Sequence, residues 1–139
     1  MEPQEMKDTV RRWFQAIFDN GDYSLIPELT TEDYGLILPR TDPISREDLP
    51  GMIEGFRSAI PGYRNEIHEQ VVEGNVVVTR GTTHATHTGP FGELPPTGNV
   101  IESDWITITR FDGDKIAEDL EVWDEMGMMM KLGAIKPVE

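Results

Sequence analysis

The sequence predicts an α+β fold in which a curved antiparallel sheet wraps around N-terminal helices and leaves a pocket between the two layers. Three observations point there. Up to residue 60 the apolar residues recur at helical spacing. From residue 63 the period drops to two. Gly/Pro-rich turns cut that second half into strand-sized pieces. A length of 139 residues suits one domain, residues 1–139, with a single core.

Met6, Val10, Trp13, Phe14, Ile17 and Phe18 define the apolar face of a first helix, which Gly21 stops. A shorter helix is expected from Tyr23 to Leu29, and "YGLILP" reads as a short buried strand ended by Pro39. Ser45, with Asp48 three residues on, resembles a capping box. The helix it opens carries Leu49, Met52, Ile53, Phe56 and Ile60 on one face. Pro50 then falls in its first turns, where proline costs least, and Pro61-Gly62 ends it. Residues 63–73 and 75–88 read as strands of a hairpin turning at Gly74-Asn75. The segment "TGPFGELPPTG" is a loop. Residues 100–111 form another strand, "DGD" turns the chain into 115–124, and a short Met-rich helix follows, with Gly133 past its end.

Acidic residues outnumber basic ones 26 to 12, for a formal charge of −14. Such a surface repels phosphate backbones, so no nucleic-acid partner is expected, and solubility is the simplest use of the charge. There is no cysteine, which rules out disulfides and Cys-based zinc sites and fits a reducing compartment. No signal-like segment and no apolar run of about 20 residues is present, so no membrane partner and a cytoplasmic location are expected. The chain has no phosphate loop, dinucleotide fingerprint or Gly-x-Ser-x-Gly elbow.

The segments "VRRWFQAIFDNGDYSLIPEL", "HTGPFGELPPTG", "ITRFDGDKIAEDLEVWD" and "MKLGAI" resemble the SnoaL-like polyketide cyclase family of the NTF2-like superfamily. The resemblance covers nearly the whole chain and is densest from Val76 to Ile135. It implies a cone-shaped α+β fold, cofactor-free ring closure by an intramolecular aldol reaction, and one carboxylate as general acid/base on the strand after the last hairpin. Counting from "KI" to "LG", that carboxylate falls on Glu121, where the family's cyclases carry Asp. Their assisting histidine falls on Thr107, which cannot do the same proton chemistry. A polar residue shortly after "DY" is replaced within "DYGLIL".

Strand alternation puts Asp119, Glu121 and Trp123 on one face and Glu118, Leu120 and Val122 on the other. On the neighbouring strand Trp105, Thr107 and Thr109 alternate with Asp104, Ile106 and Ile108. With Glu121 fixed inside by the resemblance, Trp105, Thr107 and Trp123 become pocket residues, joined by Trp13 and Tyr34. A carboxyl facing aromatic walls loses solvation, and its proton affinity moves toward neutrality. The competing reading of Glu121 is a solvent-facing acid on an acidic protein. Asp119 either shares a proton with Glu121 or, the plainer reading, sits solvated at the pocket rim. His87, in "THTG", borders the pocket or serves as a hydrogen-bonded structural histidine. His84 is the alternative inward histidine, and three-residue spacing on a strand is not a metal-ligand pattern. No metal and no organic cofactor is expected. The apolar far face of Ile106, Ile108, Leu120 and Val122 points to a partner, and the resemblance implies a homodimer through this outer sheet face, unless a local loop covers it.

Three functions compete. The first is a cofactor-free cyclase or isomerase acting through Glu121, with Asp119 or His87 as secondary catalytic candidates, on a small apolar carbonyl-bearing substrate. The second is an epoxide hydrolase on the same fold, with Arg80, Asp119 and Glu121 loosely imitating an Asp-Arg-Asp set. The third is a non-catalytic binding or dimerisation domain.

Overall fold

A computed structural model describes residues 1–136. Helix α1 (Pro3–Trp13) starts on a proline and continues into a π-helical stretch, Phe14–Asp19. The wider coil is closed by Asn20 N donating to Gln15 O at 3.0 Å, and Gly21 ends it at φ 68°. The helix and its extension are therefore one amphipathic rod, as the periodicity predicts, but its last turns are loosened where Phe14, Ile17 and Phe18 pack inward. A 3₁₀ turn (Tyr23–Leu25) and α2 (Ile26–Leu29) lead into β1 (Thr30–Ile37), which begins ahead of the "YGLILP" segment.

A two-residue strand, β2 (Ile44–Ser45), precedes α3 (Leu49–Ala59). The capping-box expectation fails here. Asp48 is the N-cap, and Ser45 Oγ only accepts from Asp48 N at 3.3 Å, closing a turn one step before the helix. Pro50 does sit in the first turn, where its missing N–H has no helical partner to lose.

The strands β3 (Arg64–Glu73), β4 (Val76–Thr86), β5 (Val100–Asp112) and β6 (Lys115–Trp123) form a meander, and α4 (Glu125–Lys131) closes the chain. The six-stranded sheet has the order β2-β1-β6-β5-β4-β3. All pairings are antiparallel except β1 with β6, which is parallel because α3 and the meander intervene between them. No helix among the described residues is long and apolar enough to cross a membrane.

Burial along β5 alternates without a break from Val100 to Asp112, with Ile101, Ser103, Trp105, Thr107, Thr109 and Phe111 inward. Two bulges bend the sheet. One places His68 as the extra residue of β3, between the Ile67–Gly81 and Glu69–Arg80 pairs. The other makes Ala117 the extra residue of β6, so that Ile116 and Asp119, three apart, both face inward. The helices α1 and α3 fill the concave side. Trp13, Ile17, Leu49 and Ile53 are at most 2% exposed, and each such side chain contributes about 1.5–3 kcal/mol by leaving water.

Gly81 shows how tight the wall is. A Cβ there would stand 2.4 Å from Trp105 Cζ2 and 2.6 Å from the backbone oxygen of Glu66. The indole thus lies across a strand that has no side chain to offer. Gly81→Ala is expected to destabilise the fold by roughly 1–3 kcal/mol through overpacking. A denaturant melt measures this, together with a change in Trp105 fluorescence as the ring is displaced.

Candidate active site

Glu121 lies in the cross-strand row Thr79–Thr107–Glu121 on the concave face. The next row is Gly81–Trp105–Trp123, and the one after pairs Thr83 with Ser103. From these rows Glu121, Trp105, Trp123, Thr83 and Ser103 wall one side of a cavity of about 70 Å³. Phe18 of the π-helical stretch, Met52 and Phe56 of α3, and Met128 of α4 close the other side. A shallower hollow of about 220 Å³ lies beyond Met52 and Phe56, against Phe91 and Gly92 of the loop after β4. The flexible Met52 side chain thus borders both spaces.

The cavity is apolar apart from a few groups. Thr107 Oγ1 donates to Glu121 Oε1 at 3.3 Å. Burial pushes the Glu121 carboxyl up from the ordinary 4.5 to about 7, the charge of Asp119 adds to the rise, and the Thr107 hydrogen bond opposes it. Ser103 Oγ and Trp105 Nε1 are buried without a hydrogen-bond partner among the described residues. Tyr63, just ahead of β3, brings a phenol into the same wall. Burial and the nearby Glu121 charge push its proton affinity far up, so it stays neutral.

Several expected site residues stand elsewhere. Asp119 is not solvated at a rim. It is 1% exposed and accepts from Thr109 Oγ1 at 2.5 Å, Tyr34 OH at 2.7 Å and Trp13 Nε1 at 3.0 Å. Regular alternation with Glu121 and Trp123 turns it inward, and Trp13 of α1 and Tyr34 of β1 cover it. Trp13 and Tyr34 consequently hold Asp119 and are absent from the cavity lining. The two rings meet edge to face at 5.5 Å. Thr107 is buried beneath Glu121 as its hydrogen-bond donor and does not line the space itself.

His87 is fully buried beyond the cavity, at the end of β4. Its Nδ1 lies 2.9 Å from Thr97 Oγ1 and accepts from Thr97 N at 3.2 Å, pinning the Gly/Pro loop. His84 faces outward and pairs with Glu66 at 2.9 Å. Neither histidine reaches Glu121. Arg80 also points outward, bonded to Glu69 Oε1 at 2.7 Å, so the Arg80–Asp119–Glu121 set for an epoxide hydrolase is not assembled. No cluster of three or more His, Asp or Glu side chains suited to a metal occurs among the described residues.

Trp105, Trp123 and Glu121 come together at the cavity, on the face that alternation and the family resemblance jointly imply. Sequence reasoning missed Tyr63, Thr83, Ser103, Met52 and Phe56. Period two was signal enough for Ser103 and Thr83, because they share a face with Trp105 and Gly81. Nothing local marked Tyr63, which lies in the turn between α3 and β3.

A sequence search of curated proteins finds no match. Solved structures are close in fold. IdmH of Streptomyces antibioticus, a candidate polyketide cyclase, is 27% identical with a TM-score of 0.82, over 92% of this chain and 98% of its own. AclR of Streptomyces galilaeus, a candidate hydroxylase, is 25% identical with a TM-score of 0.86, over 99% of this chain and 91% of its own. A protein of Catenulispora acidiphila with a ketosteroid isomerase-like fold, solved with trimethylamine, shares 17% identity over 94% of this chain and 98% of its own, with a TM-score of 0.74. That last likeness is one of fold alone, the NTF2-like cone. The SnoaL-like polyketide cyclase family model matches residues 8–132, and the chain belongs to that family.

Proposed function

We propose that the protein is a cofactor-free acid/base catalyst of the cyclase or isomerase type, acting on a small apolar molecule with an enolisable carbonyl. One observation carries this reading: Glu121 stands in an apolar cavity with its proton affinity raised to about 7. A group that is half protonated near neutral pH can both take and return a proton. In the proposed cycle the Glu121 carboxylate removes a proton from the carbon beside a carbonyl, and the electron pair moves onto the carbonyl oxygen. The enolate carbon then attacks a second carbonyl of the same molecule, or is reprotonated at another carbon. Glu121 returns its proton to the new alkoxide or carbon. Product and substrate are isomers, so the balance calls for no oxidant, reductant or metal. Trp105 and Trp123 would exclude water and hold the apolar skeleton, while Tyr63 and Ser103 offer hydroxyls to a carbonyl oxygen.

Incubation of the protein in D₂O with a panel of apolar β-diketones and aryl β-ketones tests the proposal. Enzyme-dependent deuterium incorporation beside the carbonyl, or formation of an isomer, supports it. Binding of the same compounds with no exchange on any of them would favour the non-catalytic binding reading. A homodimer through the convex sheet face belongs to the same proposal. Ile106, Ile108, Leu120 and Val122 are 36–45% exposed, and no loop of the described chain covers them.

A further inference from the structure

The buried acid beside Glu121, Asp119, has no place in the proton cycle just described, yet three side chains donate to it. Its three donors come from three separate elements: Trp13 from α1, Tyr34 from β1 and Thr109 from β5. Trp13 Nε1 and Tyr34 OH share Oδ2, and Thr109 Oγ1 takes Oδ1. An indole N–H can only donate, and an ionised carboxylate can only accept. The Tyr34 and Thr109 hydroxyls can turn to accept from a neutral acid, but only the anion lets all three partners donate at once. The donor set therefore favours the anion, against the burial that pushes Asp119 toward neutrality. An asparagine would tie α1 to the sheet nearly as well, so structure alone does not call for an acid here.

Asp119 and Glu121 occupy neighbouring inward positions of one strand, about 7 Å apart by strand geometry. We propose that Asp119 is a positioning residue for Glu121: a fixed negative charge, anchored by Trp13, Tyr34 and Thr109, that sets the pH at which Glu121 takes and releases its proton. The surroundings leave this charge unopposed. Thr107 faces Glu121 from β5 with a neutral hydroxyl, and Tyr63 faces it from the turn before β3 with a neutral phenol. From β1 the Tyr34 hydroxyl is turned to Asp119. The helices contribute Phe18, Met52 and Phe56, and no Lys, Arg or His lines the cavity among the described residues. Two like charges in a site of low polarity keep the second from forming until higher pH. Remove the first, and Glu121 should ionise earlier.

The inference rests on the acid/base reading of Glu121, and one experiment separates the two. The protein is labelled with ¹³C at glutamate carboxyls and titrated by NMR, with Glu121→Gln identifying the signal. The parent midpoint is expected near 7. In Asp119→Asn it should fall by about one pH unit or more, a tenfold weaker hold on the proton. Tyr34→Phe removes one donor and keeps the acid. It should move the midpoint the same way by less, and it carries the test if the Asn variant does not fold. A midpoint raised in the parent but unmoved in both variants would overturn the role of Asp119 and leave the acid/base reading standing. A parent midpoint at the ordinary 4.5 would overturn both. A purely structural Asp119 could alter the melting temperature but not this midpoint.

Discussion

Glu121→Gln is expected to lower turnover by about 10²–10⁴-fold, the usual worth of a positioned acid/base. Gln matches Glu in volume and keeps an oxygen to accept from Thr107 Oγ1. It removes only the capacity to take and give a proton. Ligand affinity should change far less, since Trp105, Trp123 and Phe56 remain as walls. The deuterium-exchange assay on any accepted β-ketone reads both effects. Undiminished exchange in a folded Gln variant would remove Glu121 from the chemistry. Asp119 could not readily replace it, because Trp13, Tyr34 and Thr109 seal its carboxyl away from the cavity.

Ile108→Glu is expected to turn the proposed dimer into a monomer. Ile108 lies in a convex row of four apolar residues, Val71–Val78–Ile108–Leu120, that crosses four strands. Ile106 and Val122 extend it in the next row. Val78 is half-buried, and the other five run from 36% exposed for Ile108 to 59% for Val71, an apolar patch on an otherwise acidic protein. A two-fold interface buries each substitution twice. An unpaired carboxylate in such a contact costs about 3–5 kcal/mol, so Kd should rise by at least about 10²-fold. Sedimentation at micromolar concentration should find the dimer mass for the parent and the monomer mass for the variant. A monomeric parent would contradict the proposed assembly.

The parts of this site that lie along single strands were legible in the sequence. Alternation grouped Trp105 with Thr107 and Glu121 with Trp123, the family resemblance turned Glu121 inward, and the pairing of Thr107 with Glu121 places the two groups on one face. What alternation could not show was the bulge at Ala117, which keeps Ile116 and Asp119 on the same side. Nor could it show contacts made across the chain. Trp13 reaches Asp119 over 106 residues and Tyr34 over 85, and both read as pocket walls until the sheet is folded over the helix. His87 misled for a related reason. Alternation left open whether His84 or His87 turns inward, and the end of β4 carries the buried His87 past the cavity, into the loop anchored by Thr97. The parallel pairing of β1 with β6 likewise depends on where α3 returns the chain, which no local pattern encodes.

If folding raises the proton affinity of Glu121 as proposed, the pH dependence of stability shows it without any substrate. The folded chain holds the Glu121 proton up to about pH 7, whereas an unfolded Glu releases it near 4.5. Unfolding therefore releases a proton between those values. The stabilising contribution of the neutral carboxyl is full below pH 4.5 and is lost as pH rises through about 7. Gln has no proton to lose. Denaturant melts of the parent and Glu121→Gln across pH 4–8 should show nearly equal stabilities at the acid end. The Gln variant should gain progressively, by up to roughly 3 kcal/mol, as pH approaches 8. A stability difference that stays constant across this range, or that turns against the Gln variant as pH rises, would contradict the claim.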